Sequence, residues 1–153
     1  MAHYHAMIRS RRPAPETFDY MATFSNAAQW DPGVLAGEQL DPGPVGVGTR
    51  FRLVVPFLGR RLPLIYKIST HVPGREVVLE AASRLLRATD RMVVLPDGDG
   101  STVSYDADVR LRGPLRILDP VMRRGFNTVG DRATAGLART LSAAPAPRGQ
   151  SSP

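Results

Sequence analysis

Three residues in this chain combine proton-moving side chains with apolar neighbours: Asp90, Tyr66 and Tyr105. Each falls in a stretch where apolar and polar residues alternate, the pattern of a strand with one buried face. Parity along residues 86–95 puts Asp90 on the same side as Ala88, Met92 and Val94. The same count sets Tyr66 beside Leu64 and Ile68, and Tyr105 beside Val103 and Ala107. An ionised carboxylate among such neighbours is costly, so its pKa should rise. A carboxyl that titrates near neutrality can anchor the polar end of an apolar ligand or act as a general acid and base. The two phenols can offer hydroxyls to the same ligand or serve as amphipathic core residues. A slip of one residue in register would instead turn Asp90 to water.

Other patterns carry less chemistry. His3 and His5 share a strand face, as two metal ligands would, but no third ligand is evident. Asp97-Gly98-Asp99-Gly100-Ser101 starts like a calcium loop, yet Thr102 stands where such a loop needs glycine. A tight hairpin turn explains that stretch better. Gly43, Gly46 and Gly48 precede a strand rather than a helix, so they form no phosphate loop. A Gly-x-Ser-x-Gly elbow is absent from the sequence. Neither a metal nor a cofactor is expected.

The elements that position these residues follow from the pattern. Pro15-Glu16 opens a short helix through Phe18, Tyr20 and Met21. Ser25 is placed to cap a second one holding Ala27, Ala28 and Trp30, which Asp31-Pro32-Gly33 ends. Strands are predicted over 4–10, 34–40, 49–57, 64–72, 77–83, 86–95 and 102–111. Leu58-Gly59-Arg60-Arg61 reads as a hairpin loop, Pro73-Gly74 as a turn, and Asp97-Gly98-Asp99-Gly100 as the strongest hairpin signal. Gly113-Pro114 ends the strands, and from Leu118 to Leu141 apolar residues recur at helical spacing, with Pro120 in the first turn. Gly125 and Gly136 flank that apolar stripe, where they would keep side-chain volume out of an interior space or permit a close helix–sheet contact. Residues 1–143 are read as one domain, and 144–153, small and proline-containing, as a disordered tail.

Composition bounds the setting. A chain of 153 residues with 42% hydrophobic and 22% charged residues can bury one core. Without cysteine, disulfides and thiolate metal sites are excluded. Residues 1–10 carry two histidines and an arginine where a signal peptide would be apolar, which favours a cytoplasmic location. Sequence hydropathy predicts no membrane insertion. The net charge of +6 comes almost wholly from arginine, Lys67 being the only lysine. On the predicted outer sheet face, Glu76 and Glu80, Arg87 and Arg91, and Asp106 and Asp108 alternate in sign, with Arg91 expected to face Asp106. That is a solvated checkerboard, not a basic stripe, so nucleic acid is not an expected partner.

The order strand, two short helices, six strands, long helix is an α+β helix-grip plan, a curved antiparallel sheet of about seven strands wrapped round a C-terminal helix. At this point the chain resembles the SRPBCC or START-like superfamily, specifically its bacterial polyketide cyclase/dehydrase and lipid-transport group. The resemblance is carried by Pro15-Glu16-Thr17-Phe18-Asp19-Tyr20, Ala28-Gln29-Trp30-Asp31-Pro32-Gly33-Val34, Gly46-Val47-Gly48-Thr49-Arg50-Phe51 and the segment from Pro96 to Tyr105. Thr17 stands where the family usually has an aliphatic residue. The resemblance implies an internal cavity for a hydrophobic small molecule and, in some members, cyclisation or aromatisation of polyketides.

Strand parity supplies the expected lining. It includes Phe51 and Leu53, then Tyr66 and Ile68, then Leu79 and Ala81, then Asp90 and Met92, then Tyr105 and Ala107. Trp30 from the helix pair and Met122, Phe126 and Val129 from the long helix complete it. Thr70 and Ser83 are also placed inward. Pairing through the turns predicts one row of Ile68, Leu79, Asp90 and Ala107, and a second of Thr70, Val77, Met92 and Tyr105. The leading expectation is non-covalent binding of a polyketide-, lipid- or isoprenoid-type molecule. The alternatives are a cyclase/aromatase working by enolisation and loss of water, with Asp90, Tyr66 and Tyr105 as candidate catalytic groups, or a ligand-free partner-binding module. Oligomeric state is left open.

Overall fold

The computed structural model describes residues 2–143, so the expected tail at 144–153 lies outside the described residues. Strand β1 (Ala2–Ser10) leads into helix α1 (Ala14–Ala22), a 3-10 turn (Phe24–Asn26) and the short helix α2 (Ala27–Trp30). Strands β2 (Ala36–Gln39), β3 (Arg50–Phe57), β4 (Arg60–Val72), β5 (Glu76–Ala82), β6 (Leu86–Asp97) and β7 (Gly100–Leu111) follow. A second 3-10 segment (Gly113–Leu118) feeds the long helix α3 (Asp119–Ser142). All seven strands form one curved antiparallel sheet in the order β1-β7-β6-β5-β4-β3-β2. The helix-grip expectation holds.

Turn chemistry sets the hairpins. Asp97 pairs with Gly100 across a two-residue turn, with Gly98 in the left-handed region. The β3–β4 loop is also two residues, Leu58 and Gly59, both at positive φ. Arg60 and Arg61 are therefore already in β4, not in the loop as the sequence suggested, because a primed turn needs only those two residues. Ser25 lies within the first 3-10 turn; α2 starts from Asn26 with no side-chain cap, so the expected cap is not made. Pro120 sits in the first turn of α3.

Register is the decisive feature. Ile68 pairs with Leu79, Leu79 with Asp90, and Asp90 with Ala107, the row predicted from parity. The next row differs. The β4–β5 register shifts between Ile68 and Thr70, so His71, not Thr70, pairs with Val77, which pairs with Met92, itself opposite Tyr105. One extra residue in a strand reverses every later face. His71 turns inward and meets the Phe18 ring edge-on at 5.3 Å. Ser83 lies beyond β5, where its hydroxyl accepts the backbone N–H groups of Leu85 and Leu86 and so shapes the turn into β6.

The inner face is covered in two ways. At one end α1 lies across β6 and β7 and buries Phe18 and Met21 against the sheet. Thr17, also buried, joins Ser10 (2.7 Å) and Ser101 (2.8 Å) in a hydroxyl cluster that ties α1 to β1 and β7. An aliphatic side chain would pack there but leave those hydroxyls short of a partner. Along β1 runs α3, whose C-terminal half buries Ala133, Leu137 and Leu141. Its N-terminal half is less embedded: Met122 and Phe126 are half-buried and Val129 is 50% exposed. The predicted packing of the whole Met122–Ala133 stripe is thus realised fully only at Ala133, because the helix stands off the sheet where the interior stays open.

Glycine explains how α3 approaches. A Cβ at Gly136 would collide with the Trp30 carbonyl oxygen, so α2 and α3 touch backbone to backbone there. A Cβ at Gly130 would strike the Tyr4 ring. Among the described residues nothing stands near a Cβ at Gly125. Gly136 therefore makes a close contact with helix α2 rather than the expected helix–sheet contact, which falls at Gly130 against Tyr4 of β1, and neither reading applies to Gly125. On the outer face, Arg91 keeps Asp106 as its register partner but aims its guanidinium at Glu76, 2.7 Å away. Asp106 instead meets His5 at 2.8 Å and Asp108 meets His3 at 2.6 Å.

Candidate functional site

Under the N-terminal half of α3 lies a cavity of about 300 Å³. Its roof is Met122, Phe126, Val129, Gly130 and Ala133; its wall is Trp30, Asp31 and Val34; its floor comes from β3, β4, β6 and β7. The lining is mostly aliphatic and aromatic, as expected of a site for a largely apolar molecule. Small residues at Ala88 and Ala107 leave the space that larger side chains would fill.

Of the residues expected to line it, Trp30, Leu53, Tyr66, Asp90, Tyr105, Ala107, Met122, Phe126 and Val129 reach this cavity. Phe51, Ile68, Leu79, Ala81 and Met92 face inward too, but they are buried within the packed core and do not line it. Parity selects a face; it does not say where a helix closes over that face. Phe24, Ala27, Asp31 and Tyr4 line the cavity and were not anticipated. Asp31 had a signal, since it follows Trp30 directly, but Asp-Pro-Gly reads as a turn and gave no hint of an inward carboxylate.

The polar groups gather around Asp90, which is only 6% exposed. Burial raises its pKa most, and repulsion from Asp31 adds to this; a hydrogen bond from the Tyr105 hydroxyl pulls the other way, and Asp108 contributes a further small rise. The result is a carboxyl pushed from 3.8 to about 7. Desolvation also raises Asp31, opposed by the Gly33 backbone N–H that donates to its carboxylate at 2.7 Å. Tyr66 and Tyr105 lie well above the ordinary phenol value, first because they are buried and then because the Asp90 charge disfavours a second anion. Both phenols are therefore protonated throughout the physiological range. Tyr4 donates to Asp131 at 2.8 Å and lies 3.0 Å from the Thr134 hydroxyl, linking β1 to α3 at the rim.

Aromatic contacts hold this cluster in place. Trp30 and Tyr105 meet edge to face with centroids 6.0 Å apart, and Phe24 and Tyr66 do so at 5.0 Å. Chemically, the site offers a carboxyl that is part protonated near neutrality, a second carboxylate within electrostatic reach, and two neutral phenols. Such a group can hold one polar function of a ligand, or exchange a proton with it.

The sequence profile of the polyketide cyclase / dehydrase and lipid transport family matches residues 1–142. The chain belongs to that family. Solved structures with the same fold include a START superfamily protein from Mycobacterium smegmatis, 16% identical, with a TM-score of 0.72 over 92% of this chain and 97% of that one. The Zhui aromatase/cyclase from Streptomyces sp. R1128 is 14% identical, with a TM-score of 0.69 over 91% and 90% of the two chains. A STAR-related lipid transfer protein from Xanthomonas axonopodis is 17% identical, with a TM-score of 0.67 over 91% and 85%. At such identities the likeness is one of fold. No curated protein sequence matches the chain. Among the described residues, no helix of this family member is long and apolar enough to cross a membrane.

Proposed function

We propose that this protein binds a hydrophobic small molecule in the cavity beneath α3 and orients it through Asp90 and its neighbours. The observation that carries the reading is an apolar space of about 300 Å³ whose polar lining gathers round one buried carboxyl. Family membership points the same way, since the family is described by cyclase, dehydrase and lipid-transport roles. A neutral naphthalene dye should bind at one site and be displaced by lipid extracted from the host. Ala107→Phe should fill the floor and weaken dye affinity at least ~10-fold, while circular dichroism stays that of the parent. Dye binding that is absent in the parent, or unchanged in the variant, would sink the proposal.

A second reading has its own support: Asp31 and Asp90 together meet the need of an acid–base reaction for two proton-exchanging groups. In the dehydration of a β-hydroxy carbonyl chain, an ionised carboxylate would take the proton from the carbon beside the carbonyl, and its electron pair would form the C=C bond as the β-hydroxyl departs. The protonated partner would give its proton to the departing hydroxyl, which leaves as water. The proton taken and the proton given balance, so no outside reagent is needed. Under this reading Asp90→Asn removes turnover of a bound polyketide chain while dye affinity persists.

A further inference from the structure

The charge of the cavity runs against the charge of the chain. The sequence has 20 lysine and arginine residues against 14 aspartate and glutamate, yet among the described residues no basic side chain lines the cavity. Its ionisable lining groups are Asp31 from the end of α2, Asp90 from β6, and the phenols Tyr4, Tyr66 and Tyr105 from β1, β4 and β7. Two further acids act on the lining groups, Asp108 on Asp90 and Asp131 on Tyr4, and Arg139 of α3, which shares a neighbouring pocket with Asp31, forms no ion pair with it among the described residues. The α3 side chains over the site are apolar. A buried carboxylate normally has a cation or several donors beside it. Asp90 has the Tyr105 hydroxyl and Asp31 the Gly33 N–H, and among the described residues neither is paired with a countercharge. The hydroxyl of Tyr66, a residue 7% exposed, makes no hydrogen bond among the described residues, although its ring lines the cavity.

Resting on the reading of the cavity as a binding site, we infer that its ligand is a hydrophobic amine, held as an ammonium ion by Asp90 and Asp31. An ammonium supplies the countercharge that both carboxylates lack. Its N–H groups also match the free acceptor capacity of the two carboxylates and of the Tyr66 oxygen. The rings of Trp30, Tyr66 and Tyr105 favour a cation beside them. A fatty acid or other anion would add a third negative charge in a desolvated space. A neutral alcohol or ketone could bond to Asp90 but would leave Asp31 uncompensated.

Linkage sets the sign of the pH dependence. An ammonium needs Asp90 ionised, so its binding tightens as pH rises through the native pKa, which lies at about 7. The phenols stay neutral over this range, and an alkylammonium, like lysine at about 10.4, stays charged. Isothermal titration of the parent protein with decylamine, decan-1-ol and decanoate at about pH 6 and about pH 8.5 separates the alternatives. Decylamine should bind at least ~10-fold tighter than decan-1-ol at the higher pH, and tighter there than at the lower; decanoate should be weakest. Asp31→Asn and Asp90→Asn should each remove most of the preference for decylamine over decan-1-ol, with circular dichroism that of the parent. If decan-1-ol equals or exceeds decylamine, or decylamine affinity does not rise with pH, the ammonium inference is overturned and the binding cavity stands. If none of the three binds, the cavity reading fails and takes the inference with it.

Discussion

Replacing Asp90 by asparagine removes a buried carboxyl and keeps its shape. The amide oxygen can still accept the Tyr105 hydroxyl, so the main change is the loss of a titration. Burial, then repulsion from Asp31, carries the native pKa from 3.8 to about 7. In the unfolded chain the group returns to the ordinary value of about 3.9. Between these values the native protein holds the proton and the unfolded chain does not. The stabilisation is full below the unfolded pKa and is lost as pH rises through the native one. From about pH 5 to about pH 8, at about 1.4 kcal/mol per pH unit, that loss amounts to about 3 kcal/mol. Urea unfolding of parent and Asp90→Asn at both pH values isolates it, because every other titrating group is common to the two proteins. The variant should gain on the parent by about 3 kcal/mol between the lower and the higher pH. Equal pH dependence in the two would show that the carboxyl titrates in water, and the placement of Asp90 at the cavity floor would be refuted.

Two glycines of α3 should respond in opposite directions. Gly125→Ala meets open space and should stabilise by up to ~1 kcal/mol through helix propensity. Gly136→Ala drives a methyl into the Trp30 carbonyl, and overpacking of about 1–3 kcal/mol should outweigh that gain; thermal melts should rank the two variants on either side of the parent. Leu58, 65% exposed at φ 49°, adopts a left-handed conformation that costs a branched residue roughly 1 kcal/mol, so Leu58→Gly should raise the urea midpoint slightly and leave dye binding unchanged.

Much of the sheet was legible because its determinants are local. Alternation with period two assigns each strand a face, and Asp97-Gly98-Asp99-Gly100 together with the short break between the strands at 77–83 and 86–95 sets how β6 meets its two neighbours. Those two rules suffice to bring Asp90 opposite Ala107 and Leu79 before any coordinate is known. They fail at residues 69–71, where no glycine or proline marks the irregularity and the extra residue exchanges Thr70 for His71 on the inner face. The Arg91 pairing failed for a different reason: register brings Asp106 opposite, but a long flexible side chain reaches Glu76 instead.

What the sequence by itself determined is the element order, the antiparallel pairing through short turns, and the inward carboxyl and phenols, since each follows from contacts between residues near in the chain or one hairpin apart. Which inward residues stay open to a ligand was decided only by the tertiary structure. Where α1 packs, inward residues such as Met92 are core; where α3 stands off the sheet, Ala107 and Asp90 line a cavity. That division depends on the Gly136–Trp30 backbone contact, which sets how closely α3 approaches α2. The same packing brings Asp31, at the end of α2, within electrostatic reach of Asp90 in the middle of β6. No local pattern encodes a meeting of two such distant segments, because the force that brings them together is the burial of the apolar surface around them.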